Sequence, residues 1–72
     1  MAGAVYKVIE LVGTSTESWE DAAKTAVEAA AKSVRDLRIA EVVEFDLQLG
    51  EDGKVASYRA KVKVSFKHEI KG

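Results

Sequence analysis

Seventy-two residues without cysteine or proline exclude disulfide staples and thiolate metal sites, and a single histidine argues against a histidine-based zinc site within one chain. Eleven Lys and Arg against twelve Asp and Glu leave a formal net charge of −1, which argues against a nucleic-acid partner. The segment MAGAVYKVIELVG is too short and too charged for a signal peptide or a membrane span, so no membrane partner is expected and a cytoplasmic setting is the default.

The valine- and isoleucine-rich run AVYKVIELV over 4–12 predicts a first strand, with Gly13 as its stop. The following GTSTES offers hydroxyl side chains for a helix cap. Ser18 with Asp21 three residues later resembles a capping box, and Thr16 is the alternative cap. From Trp19 to Leu37 the apolar positions Trp19, Ala22, Ala23, Ala26, Val27, Ala30, Val34 and Leu37 follow a three-and-four spacing, the stripe of an amphipathic helix. Its many alanines favour helix and let it sit close to whatever it covers. Glu28 and Lys32 lie off the stripe as an i,i+4 pair.

From Ile39 to Leu49 the period changes to two: Val43, Phe45, Leu47 and Leu49 on one face, Glu44, Asp46 and Gln48 on the other. GEDGK at 50–54 turns the chain back into SYRAKVKVSF, where Tyr58, Ala60, Val62, Val64 and Phe66 oppose Arg59, Lys61 and Lys63. Two registers keep apolar with apolar and acid with base. One sets Asp46 against Arg59 and Glu44 against Lys61; the other, shifted by two, sets Glu44 against Arg59.

The fold class is therefore α+β, a β-α-β-β unit with three antiparallel strands and one helix, forming one domain over residues 1–72. One helix covers only one side of the sheet. A chain this small rarely closes a sufficient core alone, so a second copy of the chain is the expected cover for the other side.

The strand VYKVIELVGTS at 5–15, AEVVEF at 40–45 and YRAKVKVSF at 58–66, in this order and spacing, resemble the dodecins over nearly the whole chain. That resemblance implies a hollow homododecameric shell that stores or buffers a small ligand. In its flavin-binding members a tryptophan before the second strand stacks on the isoalloxazine ring of riboflavin or FMN, and a glutamine early in the third strand bonds the ring edge. Carried over, these positions are Ile39 and Arg59, so weak or absent flavin binding is expected. Arg59 and Ile39, with Glu44, Asp46 and Gln48, are the candidate pocket residues. The departures, with Trp19 in TSTESW, look more like the calcium-dodecin branch, which binds cations and lacks the flavin site. That alternative nominates Glu41, Glu44, Asp46 and Glu17 as calcium ligands, with Glu20 and Asp21 near the helix start. No run matches the regular calcium-loop pattern, and GEDG is a turn that merely contains acids.

No enzyme activity is expected, because Ser15 has neither histidine nor acid at triad spacing. Trp19 is read as a packing anchor, His68 as exposed, and GTSTES as a cap rather than a phosphate cradle. A small anionic ligand or metal ion is the partner beyond self-assembly; a ligand-free structural or interaction module is the remaining alternative.

Overall fold

The computed structural model describes residues 3–68; Met1 and Ala2 of the opening segment and residues 69–72 lie outside that range. Four elements follow in order: β1 (Val5–Ser15), α1 (Trp19–Ala31), β2 (Leu37–Leu49) and β3 (Val55–His68). The sheet order is β1-β3-β2, with the central strand antiparallel to both neighbours. The expected α+β unit is what forms.

Ser18 caps α1 from an extended backbone, its Oγ accepting from the Asp21 N–H at 3.0 Å. The Asp21 carboxylate does not complete a capping box. It accepts instead from the Ser15 hydroxyl at 2.7 Å, and Ser15 Oγ in turn accepts from the N–H of Glu17 at 2.9 Å. The buried stripe of α1 is Ala22, Ala26 and Ala30. It lies on the central strand, where Val62 and Val64 are fully buried, with Ile9, Leu11, Ala23, Val27 and Leu37 packed around them.

Three expected boundaries shift, each for a physical reason. Gly13 does not end β1; the strand continues to Ser15, and Gly13 pairs with Ala60 beneath the helix. A Cβ there would stand 2.0 Å from the Ala22 carbonyl oxygen and 2.9 Å from the Ala26 Cβ, so the glycine serves close approach rather than a turn. The helix ends at Ala31, not Leu37, with Lys32 as its C-cap; the chain then turns through Asp36, whose φ is 61°. Val34 and Leu37 still contribute to the interior, from the loop and from the first position of β2. Glu28 reaches Lys24 at 4.0 Å rather than Lys32, which stands past the last helical residue.

The third shift reorganises a whole face. β2 pairs with β3 as Glu44↔Lys61 and Asp46↔Arg59, the first of the two expected registers, but the pairing slips by one between Val42 and Glu44. Val43 is the extra residue of a β-bulge. N-terminal to it, Val42 opposes Val62 and Ala40 opposes Val64 on the helix side, while Glu41 opposes Lys63 and Ile39 opposes Ser65 on the outer side. A single unbroken alternation over 39–49 would have placed Ile39 and Glu41 on the helix side.

Among the described residues six hydrophobic ones are buried, four of them alanines, whereas eleven large hydrophobic residues are at least 41% exposed. The radius of gyration is 15.2 Å, against about 11 Å for a compact chain of this length. The cause is the β2–β3 arm, which runs out beyond the helix with Leu47, Leu49 and Val55 exposed. Among the described residues the large hydrophobic side chains left exposed outnumber those fully buried.

Candidate functional site

The helix leaves one face of the sheet open, and the candidate pocket residues occupy it. Alternation and register place Arg59, Lys61 and Lys63 along its centre, Glu10, Val8, Val12 and Tyr6 on the β1 flank, and Ile39, Glu41, Glu44 and Asp46 on the β2 flank. The bases thus run between the acids of β2 on one side and a β1 margin whose one acid on this face is Glu10 on the other.

Arg59 meets Asp46 as a bidentate fork, Nε to Oδ1 at 2.7 Å and a terminal nitrogen to Oδ2 at 3.0 Å, with both side chains about half exposed. Lys61 stands between Glu44 at 3.8 Å and Glu10 at 4.0 Å. Two of the three bases of the row, Arg59 and Lys61, are therefore paired within their own sheet, and Lys63 stands in register between Glu10 and Glu41, which weakens the uncompensated field a polyanion needs. The hydrogen bond from Arg59, with the guanidinium charge, holds the Asp46 carboxyl below its ordinary value of 3.8, and Asp46 likewise raises Arg59. A depressed carboxyl pKa means that the pair's contribution is present above the ordinary value and is lost as pH falls through the depressed one. A carbon-detected NMR titration of the Asp46 side chain is expected to give a midpoint below 3.8 that Arg59→Gln returns upward; a midpoint unmoved by the substitution would contradict the fork.

Trp19, read as an anchor, proves to be the brace of this site. Its ring lies 5.6 Å from Phe45 and, edge-on, 5.3 Å from Tyr58, and its indole N–H donates to the Asp46 carbonyl at 3.0 Å. One side chain thus ties the helix start to the strand positions that carry Asp46 and Arg59. Sequence reasoning missed that reach, and it missed Glu10; the signal for Glu10 was present in the alternation Tyr6, Val8, Glu10, Val12 of β1.

The remaining nominated residues divide. Gln48 accepts from the Ser57 hydroxyl at 3.0 Å, farther out on the arm. Ile39 is 65% exposed. Among the described residues no group of three or more His, Cys, Asp or Glu is placed to hold a metal. Glu41, Glu44 and Asp46 follow one another along β2, two of them committed to bases, and Glu17 stands in the turn before α1. Calcium takes six to eight oxygens, so any such site would have to draw carboxylates from more than one chain. Within GTSTES the Glu17 and Ser18 amides donate to the Ser15 hydroxyl oxygen, and the Ser18 hydroxyl oxygen takes the Asp21 amide as the helix cap. Among the described residues no helix is long and apolar enough to cross a membrane.

Comparison with known proteins agrees with this architecture over its full extent. The family model for dodecin matches residues 5–69. Calcium dodecin of Mycobacterium tuberculosis is 52% identical over 64 residues, 89% of each chain, and a dodecin of Thermus thermophilus is 43% identical over 67 residues, 93% of this chain and 96% of that one. Among solved structures, the calcium-chelating calcium dodecin of M. tuberculosis, described with a novel calcium-binding site, superposes with a TM-score of 0.81 at 48% identity, covering 96% of this chain and 97% of that one. A dodecin from Streptomyces coelicolor superposes with a TM-score of 0.87 at 35% identity, covering 99% and 100%. A family-model match over residues 5–69, with relatives 52% and 43% identical over most of their length, shows that the chain belongs to the dodecin family.

Proposed function

We propose that this protein is a homododecameric binding and storage shell whose ligand pocket forms where the open sheet faces of sister chains meet. The observation that carries the reading is the exposed apolar set on that face: Tyr6, Val8, Val12 and Ile39 are each at least half exposed in the single chain. Apolar side chains interleaved with paired charges suit a partner with the same pattern, where ion pairs set orientation and the apolar residues supply the burial. The pocket positions are Ile39, Arg59, Glu44, Asp46 and Gln48. Its role is binding rather than catalysis, its setting is cytoplasmic, and its affinity for flavin is weak because no flat ring stands at position 39 and the Arg59 donors are already given to Asp46.

Native mass spectrometry at micromolar concentration is expected to report twelve subunits; a stable monomer would overturn the shell and the pocket with it. A cation-binding shell is the second reading, favoured by the 52% identity to calcium dodecin. Its ligands would come from Glu41, Glu44, Asp46 and Glu17 of several chains. Metal analysis of the same preparation decides it, calcium in stoichiometric amount supporting the second reading over a ligand-free scaffold.

A further inference from the structure

The Asp46–Arg59 fork stands on the open face of the sheet, while the side chain that holds its backbone comes from the other face. Alternation turns Phe45 and Tyr58, the residues directly before Asp46 and Arg59, toward the helix. The Trp19 ring lies against both, at 5.6 Å and 5.3 Å, and its indole N–H donates to the Asp46 carbonyl at 3.0 Å. One ring therefore grips from behind the two strand positions whose side chains meet in front.

The strand is weak at this point. β2 is an edge strand, so β3 alone pairs with it. Its ladder is interrupted on both sides of Asp46, between Val42 and Glu44 and again between Gln48 and Leu49. Irregularities of this kind disrupt the ladder, bend the strand and increase its twist. The buried stripe of the helix lies on the central strand and does not steady β2 here. Trp19 supplies that lateral hold.

A residue positions another only when its own conformation is fixed. Trp19 is the first residue of α1, directly after the cap Ser18, whose Oγ accepts from the Asp21 N–H. Just before it, the Ser15 hydroxyl oxygen accepts from the Glu17 and Ser18 amides and donates to the Asp21 carboxylate. The platform under the indole is thus tied at both ends.

Asp46 and Arg59 are direct partners in the ladder, and their bidentate pairing needs both nitrogens and both oxygens in one plane. A small slide of β2 breaks that match. We infer that Trp19 is a positioning residue of the pocket: acting through the Asp46 backbone, it keeps the Arg59 guanidinium on the carboxylate and so withholds it from a ligand. The withholding rests on the pocket proposed above; the mechanical link does not.

Proton exchange at the arginine Nε–H groups, followed by NMR on the assembled protein, tests the link. The chain has three arginines, and Arg35 and Arg38, which have no ion pair among the described residues, serve as references. In the unmodified protein the Arg59 Nε–H, bonded to Asp46 Oδ1 at 2.7 Å, should exchange more slowly than either. Trp19→Phe keeps an aromatic ring against Phe45 and Tyr58 and removes the indole N–H. Arg59 exchange should then rise about fivefold, the change in an opening equilibrium that one net hydrogen bond makes. Val27→Ala, about two helical turns away and packed on the core, should lower the unfolding midpoint without changing Arg59 exchange. Three results overturn the role: an Arg59 signal as fast as its references, unchanged exchange in Trp19→Phe, or an equal rise in Val27→Ala, which would make Trp19 general packing. Native mass spectrometry of the same samples keeps the two proposals apart. A monomer whose Arg59 still responds to Trp19→Phe sinks the shell and leaves the link standing.

Discussion

Gly13→Ala is expected to destabilise the protein by about 3 kcal/mol, at the upper end of what overpacking costs. The new Cβ would lie 2.0 Å from the Ala22 carbonyl oxygen, an atom of the helix backbone with no rotamer to escape into, and 2.9 Å from the Ala26 Cβ. Relief requires lifting α1 off β1, and the lift opens the contact of Ala22, Ala26 and Ala30 with Val62 and Val64. With six buried hydrophobic residues among those described, the core has nothing in reserve to refill that gap. At about 4–8 °C per kcal/mol for a domain of this size, the midpoint of thermal unfolding should fall by roughly 12–24 °C. Subunit concentration must be equal in both samples, since assembly stabilises by mass action. Gly3→Ala, where an added Cβ meets nothing within 4 Å, is the control and should change stability by less than about 0.5 kcal/mol. An unfolding midpoint for Gly13→Ala equal to that of the control would show that the helix does not seat on this glycine.

The same contact shows where sequence reasoning reads well and where it does not. Periodicity located the buried stripe and narrowed the hairpin to two registers of one parity, because both signals are local or nearly so: acid opposite base and apolar opposite apolar leave few pairings open. It misread Gly13 as a stop, because a glycine that ends a strand and one that admits a neighbour look alike until the neighbour is known. It carried the helix six residues too far, since Val34 and Leu37 keep helical spacing while being half-buried from a loop and a strand. The bulge at Val43 left one legible trace, two adjacent valines in AEVVEF that interrupt strict alternation. Treating that doublet as one phase over 39–49 obscured the alignment of Ile39 and Glu41 with the charged face. The Trp19 indole bond to the Asp46 carbonyl spans 27 residues and carries no sequence signature.

That bulge is what makes the second large prediction possible. By returning Ile39 to the open face, it sets this side chain on the same surface as Arg59, with 65% of it accessible. An isoleucine there gives a flavin ring apolar contact without a π-face, so titration of riboflavin or FMN against the unmodified protein should quench fluorescence weakly or not at all. Stacking on an aromatic ring contributes on the order of 1–3 kcal/mol, and Ile39→Trp should therefore tighten flavin binding roughly 5- to 150-fold. Arg59 opposes the gain: its guanidinium is held in the Asp46 fork and offers no acceptor to the ring edge. Adding Arg59→Gln restores both donor and acceptor and should increase affinity further, whereas Arg59→Gln alone should add little without a ring to orient the ligand. Stoichiometric quenching by the unmodified protein would contradict this account of the pocket. An Ile39→Trp variant that still assembles yet gains no affinity would place the flavin position elsewhere on the chain.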